Sequence, residues 1–137
     1  MRLKLDINIF LDVVFERQGH QASAALIATC GSTNESWIAW HSLATLYYLI
    51  SRQTSPEEAR SFIGDLLTWS RVAPTTHEHA LQAASLPMRD FEDALQAVAA
   101  IACGASFVIT RNGSDFLHSP IAALTPEELL ARSPDRE

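Results

Sequence analysis

The order in which strand-like and helix-like segments follow one another constrains this chain more than any single residue does. Residues 2–5 alternate briefly and end at Asp6, after which Ile9, Phe10, Val13 and Val14 recur with helical spacing. Residues 21–30 are alanine-rich and helix-forming, residues 31–34 are turn formers, and residues 36–40 form a short apolar run that reads as a second strand. An apolar-rich helix opens at Ser42 and runs to about Ser51. Ser55-Pro56-Glu57-Glu58 starts another, with proline in the first turn and acids facing the positive helix end, and it continues to about Ser70. Residues 71–74 suffice for only a short strand. Thr76 opens a helix that Pro87 stops, residues 90–103 are the strongest helical segment, and residues 106–110 form the next strand. A weak strand at 121–124 leads into Thr125-Pro126-Glu127-Glu128, a further capped helix start, and residues 133–137 read as a frayed tail.

Strands alternating with helices pair in parallel through right-handed crossovers. The expected fold class is α/β, a three-layer α/β/α sandwich with a central, mostly parallel sheet. At 137 residues the chain has core enough for one domain, placed at 1–132. Asp6 and Asp12 interrupt the apolar N-terminus, which argues against a signal peptide. Gln96 and the Gly104-Ala105-Ser106 break divide the most apolar stretch into parts too short to span a membrane. Cys30 and Cys103 lack any Cys-x-x-Cys spacing, which suits a reducing cytoplasm and gives no support for a zinc site. A net charge of −6 and a single lysine, Lys4, argue against sequence-blind affinity for nucleic acid, which depends on Lys and Arg neutralising phosphates. No Gly-x-Gly-x-x-Gly or P-loop run supports a nucleotide-binding enzyme of those types.

In a parallel sheet the carboxyl ends of the strands share one edge, and the helices that run back start there too. Four segments should converge on it: Asp6, the helix near Thr45, the helix start at Asp90 to Asp93, and the loop from Asn112 to Asp115. Three of them carry carboxylates. Clustered carboxylates resist joint ionisation unless a cation neutralises them, and hard oxygen donors select Mg²⁺ or Mn²⁺. Each acid also has a plain alternative. Asp6 and Asp90 could each be helix N-caps, Asp93 could merely complement a helix dipole, and Asp115 sits in a run that any turn could contain. Convergence on one edge is what favours the metal site over these separate explanations. The five histidines read as structural or surface groups: His77 and His79 point apart on a helix, and His41 with Ser42 lacks a third triad member. Trp37, Trp40, Tyr47, Tyr48, Phe62 and Trp69 are expected to pack in the core.

Four stretches, LDINIFLDV, SLATLYYLI, MRDFEDALQAVAA and VITRNGSDF, together resemble the motifs of the PIN-domain family, notably the VapC-type toxins, over nearly the whole chain. The resemblance implies a metal-dependent endoribonuclease in which Asp6, Asp93 and Asp115 bind Mg²⁺ or Mn²⁺ and carry the chemistry, with Asn8, Thr45, Asp90 and Asn112 in support. It also implies an RNA substrate, a neutralising antitoxin, a homodimer and no membrane. RNA would then be held through the metal and a few arginines such as Arg52, Arg89 and Arg111. Family members usually carry Glu where this chain has Thr45, so a weakened or inactive PIN-like binding or scaffold protein is the alternative. A phosphotransfer fold, such as a haloacid-dehalogenase-like phosphatase or a receiver domain, ranks third. Asp6-x-Asn8 lacks the second acid of the former, and no lysine follows the late strand.

Overall fold

A computed structural model describes residues 1–132, so the tail expected at 133–137 lies outside the described residues. Five strands form one all-parallel sheet: β1 (Arg2–Leu5), β2 (Glu35–Ile38), β3 (Ser70–Val72), β4 (Phe107–Ile109) and β5 (Ala123–Leu124), in the order β3-β2-β1-β4-β5. The helices are α1 (Ile7–Val14), α2 (His20–Ala28), α3 (Trp40–Gln53), α4 (Pro56–Leu66), α5 (His77–Ser85), α6 (Phe91–Cys103) and α7 (Pro126–Leu130). Strand β1 lies at the centre, pairing Lys4 with Trp37 of β2 on one side and with Val108 of β4 on the other.

Alternation along β1 divides the core. Leu3 and Leu5 point into a layer with Ile9, Phe10, Leu26, Leu46, Ile50, Leu66 and Leu129, contributed by α1, α2, α3, α4 and α7. The opposite face packs Trp37 and Val108 against Ala99, Ala100 and Cys103 of α6, and α5 packs on α6 through Ala83, Ala94 and Val98. Each fully buried Leu or Ile contributes roughly 1.5–3 kcal/mol. On α6, Ala94, Ala97, Ala99 and Ala100 are all buried, and their small side chains let the helix lie close to the sheet. Val98 is buried as its spacing predicts, whereas Leu95 and Ile101 are only half-buried.

Two expectations need correction. The strand predicted over 36–40 ends at Ile38, and α3 begins at Trp40 with Ala39 as its cap residue. Ala39 offers no capping side chain, so the start could not be marked by the usual Ser, Thr, Asp or Asn, and Ser42 took that role in the pattern. Trp40 and Tyr48 are 69% and 58% exposed, and Tyr47 is exposed too, because Ser42, Leu46 and Ile50 form the buried stripe of α3. Trp37 is buried as expected.

Candidate metal centre

Asp6 ends β1 and occupies the N-cap position of α1, yet its side chain makes no capping bond. Its Oδ2 accepts instead from Thr110 Oγ1 at 3.1 Å and from Asn8 Nδ2 at 3.4 Å. The carboxylate is thereby fixed between the ends of β1 and β4. Thr110 Oγ1 also accepts the Asn112 backbone N–H at 3.1 Å, which folds the chain beyond β4 into a 3₁₀ turn, Gly113–Phe116, with Asp115 in it. Asn112 is exposed at the cap position of that turn. Asn8 Oδ1 accepts from Arg17 Nη1 at 3.2 Å, placing one guanidinium beside this end of the site.

The third contribution is the start of α6. Asp90 Oδ1 accepts the Asp93 backbone N–H at 2.9 Å, so Asp90 is the helix cap. Carboxylate oxygens of Asp90, Glu92 and Asp93 lie within 4.8 Å of one another. Glu92 Oε2 is held by His41 Nε2 at 2.6 Å and by Gln96 Nε2 at 2.5 Å, and the His41 bond leads the causes that keep its carboxyl below the usual glutamate range. Asp93 behaves oppositely. Burial, followed by the charges of Asp90, Asp115, Glu92 and Asp6, pushes its carboxyl up to about 6. Acids from three separate chain segments thus repel one another at one spot. A cavity of about 380 Å³ opens there, lined by Arg89, Asp90, Asp93, Ser114, Asp115 and His118 among others.

The donor set suits a hard divalent cation: carboxylate oxygens of Asp90, Glu92 and Asp93 cluster together, and the cavity beside them adds the Asp115 carboxylate, the Ser114 hydroxyl and the His118 imidazole. The raised Asp93 carboxyl reflects burial first and then the neighbouring negative charge that such an ion would neutralise. Thr45 is exposed on α3, and its side chain makes no hydrogen bond among the described residues. Helical spacing puts it on the same face as His41 and Ser42, the residues that meet Glu92 and Gln96.

Several residues escaped sequence reasoning. Glu92 stands between two singled-out acids in a helix first turn, a position that reads equally as dipole complement. Gln96 is buried and ties α6 to Ser42 of α3 at 3.0 Å. Lys4 is fully buried, and its Nζ has no hydrogen-bond partner among the described residues. Desolvation lowers its ammonium to about 8, opposed by Asp6, Glu92, Cys103 and Asp93. The period of two that places Lys4 and Asp6 on one strand face was the available signal. Of the arginines expected to meet RNA, Arg89 lines the acidic cavity. Arg111 is committed elsewhere: it donates to Asp12 at 2.6 Å, to the Gly19 carbonyl at 2.7 Å and to Glu127 at 3.1 Å.

Residues 2–114 match the family described as PIN domain. The chain belongs to the PIN domain family. Its fold is shared with solved structures at low identity. VapBC2 from Rickettsia felis, bound to a DNA fragment from the promoter, aligns with a TM-score of 0.72 at 19% identity, covering 91% of this chain and 98% of that one. VapBC-1 from nontypeable Haemophilus influenzae aligns at 0.71 and 17%, covering 93% and 99%. VapBC from Salmonella typhimurium, DNA bound, aligns at 0.67 and 17%, covering 92% and 98%. These three likenesses establish the fold of the PIN domain and nothing finer. Comparison with curated proteins gives no match.

Proposed function

We propose that this PIN domain is a metal-dependent endoribonuclease, the VapC-like toxin of a type II toxin–antitoxin pair acting in the cytoplasm. Asp6, Asp93 and Asp115 are its metal-binding and catalytic acids, with Asn8, Thr45, Asp90 and Asn112 in support and Mg²⁺ or Mn²⁺ as cofactor. One observation carries the reading: Asp93, raised to about 6 by burial and by four neighbouring acids, faces an open cavity. The resemblance to VapBC structures supports an antitoxin partner, and the exposed Trp40, Tyr48 and Phe91 supply apolar surface for protein contacts, the antitoxin or a second copy of the chain.

Bound among these acids, a divalent ion would lower the pKa of a water and offset charge on the scissile phosphate. The chain's own groups do the rest. Asp6 is pre-positioned by Thr110 and Asn8, so it would hold an ion without reorganising. A carboxylate of the set orients the attacking water and takes its proton, the water oxygen forms the new P–O bond as the bond to the leaving ribose oxygen breaks, and that oxygen takes a proton from solvent, with no covalent enzyme intermediate. Arg89 offers a guanidinium to a phosphate at the cavity wall.

Mn²⁺ calorimetry together with cleavage of a fluorogenic RNA tests this. Metal binding with metal-dependent cleavage is expected. Cleavage that persists in EDTA would refute it. Binding without cleavage would favour the second reading, a catalytically silent PIN-like binding protein, for which the uncharged, exposed Thr45 is the supporting observation.

A further inference from the structure

We propose that the cavity between the starts of α3 and α5 is a nucleobase subsite, which takes a single pyrimidine ring from an RNA strand lying across the acidic edge. The inference rests on the ribonuclease reading above.

The cavity measures about 130 Å³. A void of roughly 150 Å³ holds one benzene ring, so the space suits a single six-membered ring better than a fused pair. Leu95, Val98 and Ala99 of α6 give it an apolar wall, and Trp40 supplies an indole that stays 69% exposed. An exposed indole beside a small apolar hollow is a stacking platform for an unstacked base. Two imidazoles complete the lining, and their hydrogen bonds fix what each can offer. The Thr76 backbone N–H donates to His79 Nδ1 at 3.0 Å, so the neutral ring keeps its proton on Nε2 as a donor. His41 donates its Nε2–H to Glu92 Oε2 at 2.6 Å, which leaves Nδ1 as an acceptor with no partner among the described residues. Uracil and cytosine each carry a carbonyl that accepts and an N–H that donates, so either base meets this pair edge-on. A leucine or phenylalanine side chain from a protein partner would use neither nitrogen.

Position matters as much as lining. Glu92, which His41 holds, lies with Asp90 and Asp93 in the acid cluster, so one hydrogen bond links the cavity wall to the candidate metal centre. A strand with its phosphate at the acids can thus place a neighbouring base in the cavity. Trp40, His41 and His79 are specificity-determining residues in this arrangement and take no part in bond breaking.

The test titrates the full-length ¹⁵N-labelled protein, in EDTA, with uridine and with adenosine. Of the three indole N–H signals, that of Trp40 should move saturably with uridine while those of Trp37 and Trp69 stay in place, and adenosine should bind several-fold more weakly. Ala80→Leu fills the cavity from an exposed position of α5 and should weaken uridine binding about tenfold, the scale of one lost base stack. A fluorescein-labelled decamer of uridine, titrated in Ca²⁺, should bind the parent more tightly than uridine does and lose a similar factor in Ala80→Leu. No uridine shift at Trp40, equal affinity in a folded Ala80→Leu, or tighter binding of adenosine overturns the proposal. So does saturation of the Trp40 signal by N-acetyl-leucinamide below the uridine range, which marks an anchor pocket for a protein partner. A decamer that binds no better than uridine marks a site for free nucleosides and overturns the RNA assignment. Mn²⁺ calorimetry on the same protein reads the metal centre separately: Mn²⁺ binding without a uridine response sinks the subsite alone, and the converse sinks the metal reading alone. If Ala80→Leu fails to fold, Trp40→Ala, followed through the Ala80 and Leu95 amides, carries the same expectation.

Discussion

Asp90 accepts the backbone N–H of Asp93 at 2.9 Å, so one acid holds the start of α6 while both line the cavity. Capping and site membership are therefore compatible at this helix start, and the cap orders the first turn that carries Glu92 and Asp93. Removing an N-cap acid typically costs about 1 kcal/mol, so Asp90 variants report on stability and site together. Asp93 separates the two.

The Asp93 carboxyl is raised from its ordinary 3.8 to about 6, first by burial and then by Asp90, Asp115, Glu92 and Asp6. The unfolded chain therefore ionises Asp93 more readily than the folded one. Folded stability is lost as pH rises from about 3.8 through about 6, and the cost stands in full above that. Asp93→Asn should raise the melting temperature of the metal-free protein by about 1–4 °C at pH 7.5, with the gain shrinking towards pH 4. RNA cleavage should drop by about 100-fold or more if Asp93 supports the metal. Scanning calorimetry at both pH values checks the first part. A shift independent of pH, or cleavage at the parent rate, would contradict the assignment.

Arg111 predicts a stability effect far from the cavity. Its guanidinium joins the buried Asp12 carboxylate to Ser23 and the Gly19 carbonyl of the α2 start, and to Glu127 of α7. Arg111→Met would leave Asp12, only 3% exposed, as an uncompensated charge, costing about 3–5 kcal/mol. Lysine cannot reproduce the fork and should recover little of the loss. Gly19→Ala should also destabilise, because Gly19 has φ of 84° and a Cβ there would lie 2.9 Å from Arg111 Nη2. Urea unfolding of the three variants measures this, and near-parental midpoints would rule out the clamp.

Val98 is 1% exposed on α6, between α5 and the sheet. Val98→Asp buries a charge with no partner and should abolish cooperative folding. A soluble variant with a parental melting curve would contradict the layered packing.

The layered fold was legible because it rests on local periodicity: β1, α1, α6 and β4 each announce themselves within a few residues. That Asp93 and Asp115 line one cavity was legible because topology alone sends the start of α6 and the turn after β4 to one sheet edge. The polar network behind them was not. His41 meets Glu92 from 51 residues away, and Gln96 meets Ser42 from 54. Only the docking of α6 beside α3 pairs these residues. Lys4 sat in plain view as the single lysine, but a lysine in a strand-like run reads as solvent-facing until both neighbouring strands and α6 are in place. Arg111 looked available for RNA because the fold of the loop before α2, which brings the Gly19 carbonyl to it, leaves no local signature.

Thr45 offers the sharpest test of how charge sets the strength of this site. It lies one helical turn beyond His41 and Ser42 on α3, and those two residues meet Glu92 and Gln96 of α6. A longer acidic side chain at position 45 would thus extend along the face that borders the acidic edge. A hydroxyl can hold a water but brings no negative charge, and for hard divalent ions affinity rises with the number of charged oxygen ligands. A carboxylate about 5 Å from a divalent ion gains several kcal/mol of gross attraction at an effective dielectric of roughly 20, much of it offset by desolvation and by repulsion from neighbouring acids. The opposing cost is already visible in Asp93, whose carboxyl is raised first by burial and further by the acids present, so Thr45→Glu should lower the melting temperature of the metal-free protein slightly. With Mg²⁺ the order should reverse. Thr45→Glu is expected to bind Mg²⁺ roughly tenfold more tightly and, if the parent is a weakened nuclease, to cleave RNA faster. Calorimetry and a fluorogenic RNA assay on both proteins decide the matter: equal or poorer Mg²⁺ binding by Thr45→Glu would mean that position 45 stands outside the site or that Asp90 and Glu92 already supply the charge.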